Sequence, residues 1–250
     1  MTPDKKFWEE FWRDVKIPAI VDMSFPNDRV IAHAISRHLS FDSSKTALEA
    51  GCAPGKWMIF LNKKFGFRVD GVDYLEGAVN TTRKNLEMNG VTNSNVYEGD
   101  FMGIEIDRRY DLILALGFLE HFDDPDRVME RFLGLLKRGG RLIVGVPNFR
   151  GINYVFAKFF DRRKDLLANH NLDVMRLDFF NEESLKYKLR IDYCDYLGGF
   201  EPELFDISGH SFCPRAILSI IFRCLKAISW NRVLKNLFSG YILTVYSKEE

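Results

Sequence analysis

The chain has 250 residues, with 35 Lys and Arg against 35 Asp and Glu, and 46% of its residues are hydrophobic. This composition is typical of one globular α/β domain and excludes disordered, collagen-like and disulfide-framework proteins. The formal net charge is zero, which argues against a non-specific nucleic-acid binder, because such proteins attract phosphates through a positive field. We therefore expect no nucleic-acid partner.

The cysteine spacing and the hydropathy pattern indicate where in the cell the protein is located and whether it binds a metal. The four cysteines are Cys52, Cys194, Cys213 and Cys224. They show no CxxC spacing, so neither a metal site nor a disulfide framework is predicted, and reduced thiols fit a cytoplasmic protein. The N-terminal residues carry charges where a secretory signal needs an apolar stretch. No window of about 18 uncharged apolar residues is present, so we expect no membrane-spanning segment.

Predicted strands and helices alternate along the first 150 residues. Aromatic residues at helical spacing predict a helix over 7–15, and Asn27 is predicted to cap a second helix that ends near Leu39. The predicted strands are 46–50, 68–72, 94–98, 110–116 and 141–146. The helices predicted between them begin at Trp57 and then cover 77–88 and 126–136, the last closed by Gly139 and Gly140. This alternation predicts a mainly parallel sheet with helices on both faces.

The pattern after Pro147 is less regular. It predicts a helix over 181–189 capped by Asn181, and strands over 200–207 and 241–247. Between these two strands, a helical stretch over 214–238 is predicted. Late strands of this kind often form one edge of a parallel sheet, with the insertion lying over it.

The segment LEAGCAPGKW, residues 48–57, is the most informative motif. A tight glycine turn after the first parallel strand brings the backbone close to a ligand in the crevice where the strand order reverses. The spacing E-x-G-x-x-x-G differs from the G-x-G-x-x-G of a dinucleotide site, since Ala53 replaces a glycine. A nicotinamide dehydrogenase is therefore disfavoured. A ribose ligand with a cationic tail and no phosphate fits better, because Glu49 can attract an ammonium or sulfonium group.

Two further acidic residues follow the next two strands. Asp73, in GVDYLEGA, is placed to accept both hydroxyls of a ribose. Asp100, in YEGDFM, is placed to accept a hydrogen bond from the exocyclic amine of an adenine, with Phe101 or Met102 packed on the base. Each acid alone also fits the cap of a following helix. Together with Glu49 they predict one nucleoside site, because the carboxyl ends of parallel strands meet at one crevice.

With YDLILALGFLEHFDDP (110–125) and LKRGGRLIVGVPN (136–148), these motifs resemble those of class I S-adenosylmethionine-dependent methyltransferases. The resemblance covers residues 45–148 and is strongest to the branch of quinone-biosynthesis and glycan- or natural-product-modifying enzymes. It implies a Rossmann-like α/β fold: a mainly parallel seven-stranded sheet with an antiparallel last strand, leading helices and a C-terminal helical insertion. The chain would form one domain with four parts: the leading helices or lid (1–40), the cofactor-binding core (45–148), the variable substrate region with the insertion (149–238), and the last strand (239–250).

The resemblance also implies a binding site for the cofactor S-adenosyl-L-methionine. The turn at Gly51 and Gly55, with Glu49, would surround the methionine portion, Asp73 would bind the ribose, and Asp100 with Phe101 would hold the adenine. The full set of implied cofactor residues is Glu49, Gly51, Cys52, Gly55, Asp73, Tyr74, Asp100, Phe101, Leu116 and Gly117.

The implied reaction is an in-line displacement of the sulfonium methyl group, with oxygen as the favoured nucleophile. The cofactor supplies the activated group, and the protein must align the reactants, exclude water and accept a hydroxyl proton. His121, after the fourth strand, and His170, in the variable region, are the candidate bases. Each also fits a purely structural role in its loop.

Several alternatives stay open. The acceptor is expected to be a small molecule or a glycan or lipid precursor, and N-methylation of a small molecule or protein is a second possibility. A non-catalytic binding or membrane-associated scaffold is a third. Nucleic-acid methylation is disfavoured, because neither an Asn/Asp-Pro-Pro-aromatic nor a Pro-Cys motif follows the fourth strand.

Two segments have patterns that fit more than one role. The aromatic helix over 7–15 either packs on the core or forms a lid over the cofactor cleft. Basic and apolar residues alternate over 158–164 and 214–230, a pattern typical of a half-exposed helix or of a peripheral membrane contact. The oligomeric state is not predicted.

Overall fold

A seven-stranded sheet with helices on both faces organises the computed structural model, which describes residues 5–13, 15–163, 165–208, 212–229 and 235–249. The strands are β1 (Thr46–Ala50), β2 (Arg68–Asp73), β3 (Ser94–Glu98), β4 (Tyr110–Leu116), β5 (Leu136–Pro147), β6 (Leu189–Leu197) and β7 (Tyr241–Lys248). The helices are α1 (Lys5–Trp12), α2 (Pro26–Ser36), α3 (Lys56–Phe65), α4 (Glu76–Met88), α5 (Pro125–Leu135), α6 (Ile152–Phe159), α7 (Leu177–Tyr187), α8 (Phe212–Ile228) and α9 (Lys235–Phe238).

The strand order is β3-β2-β1-β4-β5-β7-β6. Strands β1 to β5 pair in parallel, and β7 pairs antiparallel with both β5 and β6. The predicted fold class, including the antiparallel last strand, is therefore confirmed. The winding direction reverses between β1 and β4, so a crevice opens at the carboxyl ends of these two strands.

The central strands are buried on both faces. Along β1, Ala47 packs into the core on one face and Leu48 into the core on the other, and Leu112 and Ile113 of β4 alternate in the same way. All four are at most 1% exposed. Strands covered on both faces need apolar residues at consecutive positions, which explains why the motifs around them contain nearly continuous apolar runs.

The predicted cap of the second helix is wrong. Helix α2 begins at Pro26, and the cap position is Phe25, whose side chain makes no capping hydrogen bond. Asn27 therefore lies inside the first turn. Proline is well suited to the first helical position, because its ring fixes φ and no amide donor is lost there. Asp28 places a negative charge in the same turn, where the helix dipole favours it.

The sixth strand is also elsewhere than predicted. Asn181 lies inside helix α7. Lys188 follows the helix in a left-handed conformation, and β6 begins at the next residue. The predicted strand over 200–207 is absent from the described structure there. Instead, Phe200 and Phe205 stack with ring centroids 5.9 Å apart in an aromatic cluster with Phe156. Aromatic residues favour strands, but here they fill the core from a loop.

Strand β5 begins earlier than predicted, so Gly139 and Gly140 belong to the strand and do not close α5. The reason is an irregular register: Tyr110 pairs with Leu136, and regular pairing resumes at Leu112. The additional residues are accommodated there as a bulge.

The helical stretch predicted over 214–238 corresponds to α8 and α9, and residues 230–234 between them lie outside the described residues. Helices α6 and α8 expose large apolar side chains, with Phe159 63%, Ile217 59% and Ile220 61% exposed. A membrane contact at this surface stays a prediction. No helix within the described ranges is both long and apolar enough to cross a bilayer.

A buried carboxylate connects three strands of the sheet. Asp70 of β2 is 1% exposed and accepts hydrogen bonds from the Tyr110 hydroxyl at 2.9 Å, from Arg108 at 3.0 Å and from the Asn95 amide at 2.9 Å. Buried charges are tolerated only when hydrogen bonds replace the lost hydration. The three donors therefore stabilise β2, β3 and β4 in their observed register.

We expect Tyr110→Phe to lower the free energy of unfolding by about 1.5–3 kcal/mol, since it removes one donor to a buried charge. Urea denaturation followed by circular dichroism measures the change. Tyr154→Phe is the matched control, because that side chain is 37% exposed, and its effect should stay within about 0.5 kcal/mol. Equal effects of the two substitutions would contradict the role of the Tyr110 hydroxyl.

Candidate functional site

A cavity of about 540 Å³ lies at the carboxyl ends of β1 to β4, where the strand order reverses. Its lining residues are Trp8, Trp12, Gly51, Val72, Asp73, Tyr74, Leu75, Gly99, Asp100, Phe101, Met102, Gly117, Phe118, His121, Phe122 and Arg127. The structure thus brings together seven of the predicted site residues: Gly51, Asp73, Tyr74, Asp100, Phe101, Gly117 and His121.

The turn after β1 depends on a glycine. Gly51 has a φ of +66°, and a Cβ atom there would lie 2.8 Å from a ring carbon of Phe118. The amides of Gly51 and Cys52 both donate to the Val72 carbonyl, at 2.9 and 3.1 Å, which holds the turn against β2. Any larger residue at position 51 would be strained and would displace the Phe118 ring.

Asp73 ends β2 at the cavity wall, where it is 8% exposed. One carboxylate oxygen accepts from the Leu75 amide at 3.1 Å and the other from the Ala53 amide at 3.4 Å. Burial raises the pKa of this carboxyl, and these amides act in the opposite direction. A carboxylate has about four acceptor sites, so capacity remains for two hydroxyl donors from a ligand.

Asp100 and Phe101 follow β3 but differ in environment. The Asp100 carboxylate is exposed and accepts from the Met102 amide at 3.0 Å. Phe101 is only 3% exposed, and its ring packs against Phe118 and Phe132 at centroid distances of 5.4 and 5.2 Å. Phe101 therefore belongs mainly to the core and contributes part of one cavity wall.

Other predicted cofactor residues do not line this cavity in the part of the chain that the structure describes. They are Glu49, Cys52, Gly55 and Leu116. Cys52 is fully buried in the core, and its sulfur lies 2.6 Å from the position that a Cβ of Gly71 would take. Gly55 precedes α3 with a φ of +87°, and a Cβ atom there would lie 3.0 Å from the side-chain methyl of Thr82 in α4. Cys52 and Gly55 therefore support the turn on the side away from the cavity.

Glu49 is buried under the same turn, with 4% of its surface exposed. Burial raises the pKa of its carboxyl well above the usual value, and the Lys56 charge and the Met58 amide counteract only part of this. Its Oε2 atom has no hydrogen-bond partner among the described residues. The interaction of Glu49 with a cationic ligand stays a prediction.

His121 lies on the short 3₁₀ turn 119–121 that follows β4 and lines the cavity with a 7% exposed side chain. Its Nδ1 is 3.0 Å from the Asn169 carbonyl oxygen. Because a carbonyl only accepts, Nδ1 must carry the hydrogen, and the lone pair is left on Nε2. Burial, together with the nearby His170, lowers the pKa of His121 to about 4.

His170 does not line the same cavity, although its ring centroid is 4.7 Å from that of His121. Its Nδ1 lies 2.6 Å from the Leu166 carbonyl oxygen, and burial lowers its pKa. It lines a second, polar cavity of about 350 Å³ together with His121 and Glu120. His121 therefore forms part of the wall that the two cavities share.

Glu120 is a site residue that sequence reasoning missed. It is 1% exposed, and burial raises the pKa of its carboxyl to about 8. Its Oε1 is 3.9 Å from Nε2 of His121, which is an ion-pair distance, but pKa values of about 8 and about 4 leave both groups neutral at pH 7. Glu120, His121 and His170 each place one possible metal-ligand atom within 4.8 Å of the others. The sequence had predicted no such cluster, because His170 is far away along the chain.

The aromatic helix α1 covers one side of the cavity. Trp8 and Trp12 line it, and the Trp8 ring packs edge-on against His121 at a centroid distance of 4.7 Å. Phe118 and Phe122 complete the aromatic wall and were not predicted. Their position directly after β4 was a usable signal, since ligand-contacting residues of such sheets follow the strand ends.

Comparison with known proteins agrees with this architecture. A family model described as methyltransferase domain matches residues 26–190. The ubiquinone biosynthesis O-methyltransferase of Coxiella burnetii is 31% identical over 105 residues, which cover 42% of this chain and 44% of that protein. The methyltransferase GfsG of Streptomyces halstedii is 24% identical over 143 residues, covering 56% and 50%. The chain thus spans about half the length of the curated relatives it matches.

Among solved structures, the geranyl diphosphate C-methyltransferase of Streptomyces coelicolor A3(2) superimposes with a TM-score of 0.60. It is 14% identical, and the match covers 87% of this chain and 79% of that one. At this identity the likeness shows the fold alone. The family model, by contrast, extends over most of the chain and includes the strands and turns that build the cavity. The chain therefore belongs to the methyltransferase-domain family.

Proposed function

We propose that this protein transfers a methyl group from S-adenosylmethionine to a hydroxyl oxygen of a small-molecule acceptor, a class that includes glycan and lipid precursors. The observation that carries the proposal is the placement of Asp73 and Asp100 on one cavity at the reversal point of the sheet. The O-methyltransferase name of one relative and the methyltransferase family model support it.

The lining of the cavity suits an adenosine without phosphates. It offers the carboxylates of Asp73 and Asp100, and Arg127 is the one Lys or Arg lining it within the described ranges. Two carboxylates repel a pyrophosphate but attract hydroxyl, amine and cationic groups. The similar geranyl diphosphate C-methyltransferase was solved in complex with S-adenosyl-L-homocysteine, which supports this choice of ligand.

Each cofactor residue receives a role from its position. Asp73 would accept hydrogen bonds from the ribose hydroxyls, and Asp100 would accept one from the exocyclic amine of the adenine. Tyr74, Leu75 and Met102 provide largely apolar walls for the base. Gly51, whose φ of +66° allows the chain to turn sharply, would bring the turn backbone close to the methionine portion at the cavity wall.

S-adenosylmethionine would supply the activated methyl group. The chain itself would align the acceptor and exclude water: Trp8 and Trp12 cover the cavity from α1, and Phe118 packs on the glycine turn. His121 presents the Nε2 lone pair at the cavity wall, where it can accept the proton of an acceptor hydroxyl. His170, whose ring packs against His121 outside the cofactor cavity, would assist His121 in this proton transfer.

The same proposal assigns a role to each part of one domain. Residues 1–40 would close over the cofactor, and residues 45–148 would bind it. Residues 149–238, which supply His170 and the surface of α6 and α8, would select the acceptor, and 239–250 would complete the sheet.

S-adenosylhomocysteine should bind to this chain and raise its melting temperature, whereas NADH should do neither. Asp73→Asn should weaken the binding of S-adenosylhomocysteine about 10- to 100-fold, since hydrogen bonds to a charged group contribute about 1.5–3 kcal/mol. Isothermal titration calorimetry measures the two dissociation constants, and a thermal scan measures the melting temperature.

The matched control is Asp107→Asn, because that residue is exposed and does not line the cavity. Its dissociation constant should equal that of the unaltered chain. Absence of heat and of stabilisation at millimolar S-adenosylhomocysteine would refute the proposed cofactor. An unchanged affinity in Asp73→Asn would refute only the ribose role.

Cofactor binding should change the tryptophan fluorescence of the chain, because Trp8 and Trp12 line the cavity. The double substitution Trp8→Phe/Trp12→Phe should abolish this change. Trp57→Phe should retain it, since Trp57 is a buried residue of α3, packs against Phe60 and does not line the cavity. A response that disappears with Trp57 would show that α1 does not cover the bound cofactor.

His121→Gln should lower kcat about 100-fold and leave the dissociation constant of S-adenosylhomocysteine within about threefold, because proton transfer contributes 10²–10⁴-fold to such reactions. The assay follows transfer of a labelled methyl group to a hydroxylated acceptor found by screening. His33→Gln, on the exposed side of α2, is the control. Full turnover in His121→Gln would exclude His121 from the reaction.

A further inference from the structure

Three side chains with metal-ligand chemistry meet in the wall between the two cavities. Glu120 and His121 come from the turn after β4, and His170 comes from the segment between α6 and α7. One ligand atom of each lies within 4.8 Å of the other two. Bonds of about 2.0–2.2 Å to one tetrahedral ion place the ligand atoms about 3.4 Å apart, so binding would draw these side chains together by up to about 1.4 Å.

Both histidines are held in the tautomer that a metal ligand needs. Nδ1 of His121 donates to the Asn169 carbonyl at 3.0 Å, and Nδ1 of His170 donates to the Leu166 carbonyl at 2.6 Å. Each ring therefore keeps its lone pair on Nε2. Metal-binding histidines usually donate their other ring N–H to a backbone carbonyl or carboxylate, which fixes the ring and increases the basicity of the ligand nitrogen.

The Glu120 carboxyl group has a buried oxygen without a hydrogen-bond partner in the part of the chain that the structure describes, and a bound cation would be a partner for it. Glu120 is 1% exposed, and its Oε2 has no hydrogen-bond partner among the described residues. Its Oε1 lies 3.9 Å from Nε2 of His121. The Nε2 atoms of His121 and His170 and the Oε2 atom of Glu120 cannot satisfy one another, because both nitrogens are acceptors and the carboxylate, once metal binding has displaced its proton, is also only an acceptor. A cation between them satisfies all three.

The surroundings also favour a cation. The second cavity, of about 350 Å³, is lined by Asp123 and Asp173 in addition to the three ligands, and its wall is predominantly polar. Negative groups on the rim raise the local concentration of cations. Because His121 lines both cavities, a bound ion would lie beside the proposed cofactor site.

We propose that Glu120, His121 and His170 form a binding site for one divalent transition-metal ion. Two imidazoles and one carboxylate suit Zn²⁺ or Co²⁺ better than Mg²⁺, which prefers all-oxygen ligands. Three protein ligands leave a coordination position open. Where the proposed methyl transfer holds, that position would bind and orient the acceptor hydroxyl and lower its pKa, so that its proton is released to solvent. His121 would then serve the transfer as a metal ligand, in place of its role as proton acceptor.

The test uses the full chain without a polyhistidine tag, stripped of metal with a chelator. Titration with Co²⁺, followed by its visible absorption, and with Zn²⁺, followed by calorimetry, should show one ion per chain. His170→Ala and Glu120→Gln should each weaken binding at least about 100-fold, since even outer partners of metal ligands contribute about 10–100-fold. His33→Ala, an exposed histidine on α2, should bind Co²⁺ like the unaltered chain.

Circular dichroism of each variant checks that it is folded, and Glu120→Gln preserves the size of the side chain. The proposal is overturned if the stripped chain binds neither ion, or if folded Glu120→Gln and His170→Ala bind Co²⁺ as tightly as the unaltered chain. The titration needs neither cofactor nor acceptor. A chain that binds Co²⁺ but not S-adenosylhomocysteine would therefore refute the proposed methyl transfer and leave the metal site intact.

Discussion

The architecture of the site depends on one close contact, between the glycine turn after β1 and the residue that follows β4. The Val72 carbonyl holds the turn through two amides, and the missing side chain of Gly51 leaves room for the Phe118 ring. This contact brings the ends of β1, β2 and β4 together around one space. It also sets the start of the 3₁₀ turn that carries Glu120 and His121.

The acidic residues around this space have different environments, although they occupy equivalent strand ends. Glu49 is buried beneath the turn, Asp73 is buried at the wall but receives backbone donors, and Asp100 is exposed. Only the last two face the cavity. Position at the cavity wall therefore decides which acid can meet a ligand, while burial of Glu49 away from the cavity favours the neutral form of its carboxyl.

The wall that carries His121 joins the proposed cofactor site to the variable part of the chain. On one side His121 contacts Trp8 of α1, and on the other it contacts His170. A change in α1 or in the segment around His170 would therefore alter the same imidazole. The proposed metal ion would connect acceptor selection with the alignment of the reacting oxygen, because His170 comes from the variable segment and His121 from the wall of the cofactor cavity.

The sequence alone was sufficient for β1 to β4, for β7, for β5 from residue 141 onward, and for Asp73 and Asp100 as cavity residues. Their signals are local: an apolar run fully buried in a parallel sheet, a glycine turn and an acid at a strand end. Tertiary structure decided the position of β6, the loop packing of Phe200 and Phe205, and the meeting of Glu120 with His170. These features depend on contacts between residues distant in the chain, and no local pattern of hydrophobicity or spacing records which distant residue will become the neighbour.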